Sequence, residues 1–168
     1  MTSSDTHMAL GIPQNAELLA AIGAVAISHG HLDYTLKMLI KTLADVSIQE
    51  ARYALAYENS SILRDRAKKL ARQVLGEGKA LLKVQAFLGR CKHVTEKRND
   101  LIHRLYLEDW LGGAFVGGDD GSVKPLPTIE EVRALLDEIR QMHVEFNHDR
   151  LAGWLEEALS EKRRIPRP

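Results

Sequence analysis

Between Asn15 and Ala44, apolar side chains return every three or four residues: Leu18, Ile22, Val25, Leu32, Leu36, Leu39 and Leu43 mark one face. A half-buried strand needs a period of two, so this run predicts one long amphipathic helix. Ser28-His29-Gly30-His31 interrupts it, and Gly30 implies a kink or a close helix contact. Ser47-Ile48-Gln49-Glu50 reads as a capping box that opens a second, short helix to about Glu58. Asn59-Ser60-Ser61 caps a third, which Gly76-Glu77-Gly78 ends. A fourth helix is expected from Lys79 to about Leu107, its buried side marked by Leu81, Val84, Phe87, Leu88, Val94 and Leu101. The stretch from Trp110 to Pro127 holds five glycines and two prolines. It reads as a loop, or a short hairpin turning at Asp119 to Gly121. Thr128-Ile129-Glu130-Glu131 is another capping box and starts a last helix, to about Ser160.

These segments predict an all-α fold, an antiparallel bundle of about five helices. It forms a single domain over residues 15–160, between a flexible arm at 1–14 and a disordered basic tail at 161–168. The apolar stripes are wide for a monomer of this size, so a homodimer is expected. Apolar residues make up 45% of the chain and aromatics only 5%, a mix that favours helices over a β-sandwich. Cys91 is the only cysteine, which excludes an internal disulfide and fits a reducing compartment. No secretory leader and no apolar run of membrane-spanning length is present in the sequence, so a soluble, cytoplasmic protein is expected.

The formal net charge is zero, but it is unevenly placed. Residues 64–104 carry twelve Lys/Arg against four Asp/Glu, and the remainder carries the opposite excess. Phosphate attraction depends on where charge lies, so this segment is a candidate RNA-binding surface, with Lys68, Lys69, Arg72, Lys97 and Arg104 as its contacting residues. A plain solvated helix face is the alternative.

Late in the fourth helix, Glu96-Lys97-Arg98-Asn99-Asp100-Leu101-Ile102-His103 gathers an arginine, a carboxamide, a carboxylate and a histidine within two turns. Asn99 and His103 lie four apart and share a face. Arg98 and His103 lie five apart and border a common cleft only if another helix or subunit completes it. Histidine suits proton transfer near neutral pH, and the guanidinium fork matches phosphate oxygens. Asn99 suits orienting the imidazole or binding a ribose hydroxyl. These parts serve attack by a ribose 2′-hydroxyl on its own phosphodiester with no metal. Alternatively, the same atoms form a structural network, with Arg98 paired to Asp33 or Asp100 and His103 capping a carbonyl. His29 with His31, and His143 with His148, lack metal-ligand spacing, so no metal site is expected. Cys91, between Arg90 and Lys92, would favour a thiolate if exposed, but burial without reactivity is the usual outcome.

Arg98-Asn99-Asp100-Leu101-Ile102-His103 resembles the signature of the HEPN superfamily: an arginine, a polar residue directly after it, and a histidine after four to six intervening residues. The motif's place late in a long helix, followed by a variable segment and a final helix, is similar as well. The resemblance implies a metal-independent, cofactor-free endoribonuclease of the toxin–antitoxin or defence type. It also implies a dimer whose two motifs share a cleft, with an antitoxin encoded nearby as a partner. Arg98 and His103 would then be catalytic with Asn99, and Asp33, Asp100 and Tyr106 supporting. In a subtype whose toxin is modified by a nucleotidyltransferase, a tyrosine lies two residues beyond the histidine. Here that position is Leu105, and the tyrosine follows at Tyr106. A non-catalytic RNA-, nucleotide- or partner-binding domain of the same fold is the alternative, and a purely structural helical dimer is a third reading.

Overall fold

The computed structural model of the chain describes residues 9–11, 13–108, 113–117 and 122–164. The elements run β1 (Ala9–Leu10), α1 (Ala16–Ala44), α2 (Ile48–Ala54), α3 (Ser60–Leu75), α4 (Lys79–His103), β2 (Leu105–Glu108), β3 (Ala114–Gly117), β4 (Val123–Pro125), α5 (Ile129–Leu151) and α6 (Trp154–Arg164). The fold is an all-α helical bundle carrying a small antiparallel sheet of order β1-β2-β3-β4.

Helix starts form where the local sequence places them. Asn15 caps α1 through its side chain, and Asn59 caps α3 in the same way. Both capping boxes close reciprocally: Ser47 with Glu50, and Thr128 with Glu131. Helix α1 ends on Asp45 in the left-handed region, and α3 ends on Gly76 at φ 66°. The helix is continuous through Gly30, where an added Cβ would meet nothing within 4 Å, so the expected close contact is absent.

Helix α1 is central and packs against α5, α3, α4 and α2. Val25, Leu32, Leu36 and Leu39 are almost wholly buried, each worth roughly 1.5–3 kcal/mol of transfer free energy. Phe87 of α4 stacks on Phe146 of α5 with ring centroids 4.1 Å apart. The bonded pairs Lys97–Glu138 and Arg90–Glu145 run α4 antiparallel to α5. Ser60 meets Asp33 at the start of α3, while Leu70 and Gln73 border the same cavity as Ile40 and Ala44, so α3 runs alongside α1 in the same sense.

Four expectations are corrected. Helix α4 stops at His103 rather than near Leu107, because Leu105–Glu108 pairs with β3 on one side and β1 on the other. The arm at 1–14 is not loose throughout: Ala9 and Leu10 pair with Glu108 and Leu107, and the Gly11 amide donates to the Tyr106 carbonyl at 3.0 Å. The last helix is two helices, broken at Ala152-Gly153. The tail reading is also shortened, since α6 continues to Arg164. The β3–β4 hairpin pairs Gly117 with Val123, but the expected turn at 119–121 lies outside the described residues.

Candidate functional site

Helix α3 begins at the level of Asp33 and runs away from the N-terminal half of α1. Among the described residues, the helices that pack on α1 are α5, α3, α4 and α2, and those that pack on α4 are α3, α1, α5 and α6. The motif lies in the last two turns of α4. His103 is the last residue of α4 and Asn99 lies one turn earlier; both are exposed. Arg98 is half-buried and near enough to α1 for its charge to act on His29, and its Nη1 donates to Asn99 Oδ1 at 2.9 Å.

The pairings that a structural network would require are absent. Asp100 is bonded to Arg104, not Arg98. Asp33 accepts from the Ser60 hydroxyl at 2.5 Å and has its other oxygen 3.7 Å from His29 Nδ1, so it is not the partner of Arg98. Arg98 has no carboxylate within 4.0 Å among the described residues, and its buried Nε has no hydrogen-bond partner there. An unsatisfied buried donor costs on the order of 1–3 kcal/mol. His103 caps no carbonyl and makes no hydrogen bond among the described residues. Arg98 and His103 therefore stand five positions apart near the end of α4 with no hydrogen bond between them.

Behind the motif lies a polar cluster on three helices. The Thr95 hydroxyl donates to the Cys91 carbonyl at 2.7 Å, which leaves its oxygen to accept from His29 Nε2 at 3.0 Å and Arg64 Nη1 at 3.3 Å. That assignment puts the lone pair of the neutral imidazole on Nδ1, facing Asp33. Burial lowers the His29 pKa, Asp33 opposes this, and the charges of Arg98 and Arg64 lower it further. Cys91 is fully buried and its thiol is pushed up to about 12, chiefly by burial, so it is not a thiolate at neutral pH. A second cluster joins α1 to α5: Thr35 Oγ1 lies 2.6 Å from His143 Nδ1, and Asn147 Nδ2 lies 3.0 Å from His143 Nε2.

The candidate RNA-contacting residues divide. Lys97 is bonded to Glu138 at 3.1 Å, and Arg104 is bonded to Asp100. Both border a cavity of about 470 Å³ between α4, β2 and α5, with Leu101, Tyr106, Val132 and Leu135. That cavity is on the α5 side and excludes Arg98, Asn99 and His103. Tyr106 donates its hydroxyl to the Leu101 carbonyl at 2.7 Å, which holds the end of α4 to the sheet. Lys68 and Arg72 are exposed, and they follow Arg64 at four-residue intervals on one face of α3. Lys69 lies on another face, beside Ile40, Leu55 and Leu70.

Sequence reasoning did not single out Arg64, Ser60 or Thr95, and it weighed His29 only as a metal ligand. A signal was present: His29 falls in the buried spacing Val25, His29, Leu32, Leu36, where a polar side chain demands a partner. Among the described residues, no three His, Cys, Asp or Glu side chains are grouped to hold a metal. No helix among them is long and apolar enough to cross a membrane. Comparison of the chain with protein families, with curated proteins and with solved structures returned no match.

Proposed function

We propose that this chain is a metal-independent endoribonuclease of the toxin or defence type, related to the HEPN superfamily and working as a cytoplasmic C2 homodimer. The observation that carries the reading is the flank at the end of α4 where Asn99 and His103 are exposed. There, among the described residues, an arginine without a carboxylate partner and a histidine whose ring has no hydrogen-bond partner stand within two turns of each other. In this role His103 takes the proton from a ribose 2′-hydroxyl, the 2′-oxygen attacks phosphorus, and the bond to the 5′-oxygen breaks, the 5′-oxygen leaving as a hydroxyl with a proton taken from water. Arg98, steered by Asn99, faces the charge that builds on the phosphate oxygens. One copy offers few groups to hold a phosphodiester, and a second copy on the same flank doubles them. An antitoxin encoded nearby would act by covering this flank.

The test is cleavage of RNA in EDTA by the parent and by three variants. His103→Ala is expected to lose about 10²–10⁴ in rate with its fold intact. Arg98→Ala is expected to lose activity, and Arg98→Lys to regain part of it, since lysine lacks the two-pronged contact. The product is expected to end in a 2′,3′-cyclic phosphate. Cleavage by His103→Ala at the parent's rate would overturn the assignment. A second reading, an RNA-binding domain without catalysis, is favoured by one observation: nothing among the described residues orients the His103 ring. Under that reading the parent binds RNA and cleaves none.

A further inference from the structure

Arg64 is the second arginine in this region that no carboxylate neutralises. It lies half-buried in the first turn and a half of α3 and makes no ion pair among the described residues. Its Nη1 reaches across to Thr95 of α4, and Arg98 is the next residue along that face of α4, three positions on. Both guanidinium charges act on the same imidazole, His29. Asp33 is the carboxylate beside His29, and it is engaged by Ser60 and directed at His29. Two permanent cations therefore act on the place where His29 of α1 meets α3 and α4, and among the described residues neither forms an ion pair with Asp33.

Two further observations point the same way. The buried Nε of Arg98 is a donor without an acceptor among the described residues. The N-terminus of α3, sixteen residues long, opens at the same place and adds the positive end of its dipole. A tetrahedral oxyanion between the guanidinium groups would balance the charge and supply acceptors. Beyond Arg64, Lys68 and Arg72 continue the positive row for two more turns of α3.

We propose that Arg64 is a phosphate-binding residue that acts together with Arg98, the two guanidinium groups holding a phosphate of a single RNA strand at the junction of α3 and α4. This deepens the ribonuclease reading and rests on RNA being the ligand, but it requires no catalysis. Thr95 is then a positioning residue: its hydroxyl, locked by the Cys91 carbonyl, presents an oxygen that steers Arg64.

The experiment measures binding of a fluorescein-labelled single-stranded RNA by anisotropy over a range of salt concentrations. All proteins carry His103→Ala, so that cleavage does not intrude. Each phosphate contact on a single strand contributes about 0.7 to the slope of log affinity against log salt. Arg64→Gln is expected to weaken binding and lower the slope by that amount. Arg64→Lys is expected to keep the slope and lose part of the affinity, a split that a merely structural role would not produce. Arg140→Gln, on the exposed face of α5, is expected to change neither. A parent slope in a folded Arg64→Gln protein overturns the proposal while leaving the ribonuclease reading standing. An Arg64-dependent slope in a protein whose parent cleaves no RNA supports the proposal and sinks that reading. Absence of RNA binding overturns both.

Discussion

At the scale of single residues, Thr95 ties together a histidine and a cysteine whose pKa values burial moves in opposite directions. The Cys91 thiol is raised to about 12 and the His29 imidazole is lowered, so burial keeps both neutral at pH 7. For His29 the folded pKa lies below the ordinary imidazole value of about 6.5. In the window between the two, the unfolded chain binds more protons than the folded one. Stability is then full above about pH 6.5 and is lost as the pH falls through the folded pKa. His143, lowered by burial and by His31, works in the same sense. Melting temperature is therefore expected to fall as the pH is taken from 7.5 to 5.5, and to fall less in His29→Gln. An identical pH slope in that variant would assign the effect to other groups.

At the scale of elements, the breaks matter as much as the helices. The polypeptide could continue from α5 into α6 by periodicity alone, yet Gly153 stops it. A Cβ at this position would come within 2.8 Å of the Asp149 backbone, which cannot yield as a flexible side chain would. Gly153→Ala is expected to destabilise the protein by about 1–3 kcal/mol, read from urea unfolding. A neutral result would mean that the α5–α6 corner relaxes freely. The end of α4 is a break of another kind. His103 is the last helical residue because Leu105–Glu108 pairs on both sides, and Tyr106 returns its hydroxyl to the helix. The motif thus stands at a helix end, where its side chains are less hemmed in than at mid-helix. The outer strand β4 carries Lys124 and Pro125, exposed residues that discourage further strand pairing.

At the scale of the whole molecule, α1 is apolar beyond what the bundle buries. No Asp, Glu, Lys or Arg occurs between Glu17 and Asp33, and on the outer side Leu19, Ile27 and Tyr34 are 39%, 66% and 46% exposed. Gly23 and Gly30 lie open on the same side. A helix apolar all round is ordinarily covered all round. In the proposed dimer a second copy would cover this side of α1. Sedimentation at micromolar concentration is expected to show a dimer. Ile27→Glu is expected to give a folded monomer, because an exposed substitution costs the protomer within about 0.5 kcal/mol. A monomeric parent would count against the dimer.

What the sequence determined by itself is what depends on neighbours a few residues away. The two capping boxes, the Asn59 cap and the stop at Gly76 are all closed by partners within four positions, and each is found where the sequence places it. The shared face of Asn99 and His103 is legible for the same reason. Pairing across the chain was not. Strand β2 exists because Tyr106 lies opposite Val116 and Leu107 opposite Leu10, and no local pattern announces partners so far away. His29 meets Thr95 across 66 positions, and its role became readable only when α1 and α4 were packed. Arg98 had two carboxylates within plausible reach by sequence, yet Ser60 and His29 engage one and Arg104 the other. Which charges are cancelled, and so which remain to attract a ligand, is set by the distances between helices, and only the tertiary structure supplies those.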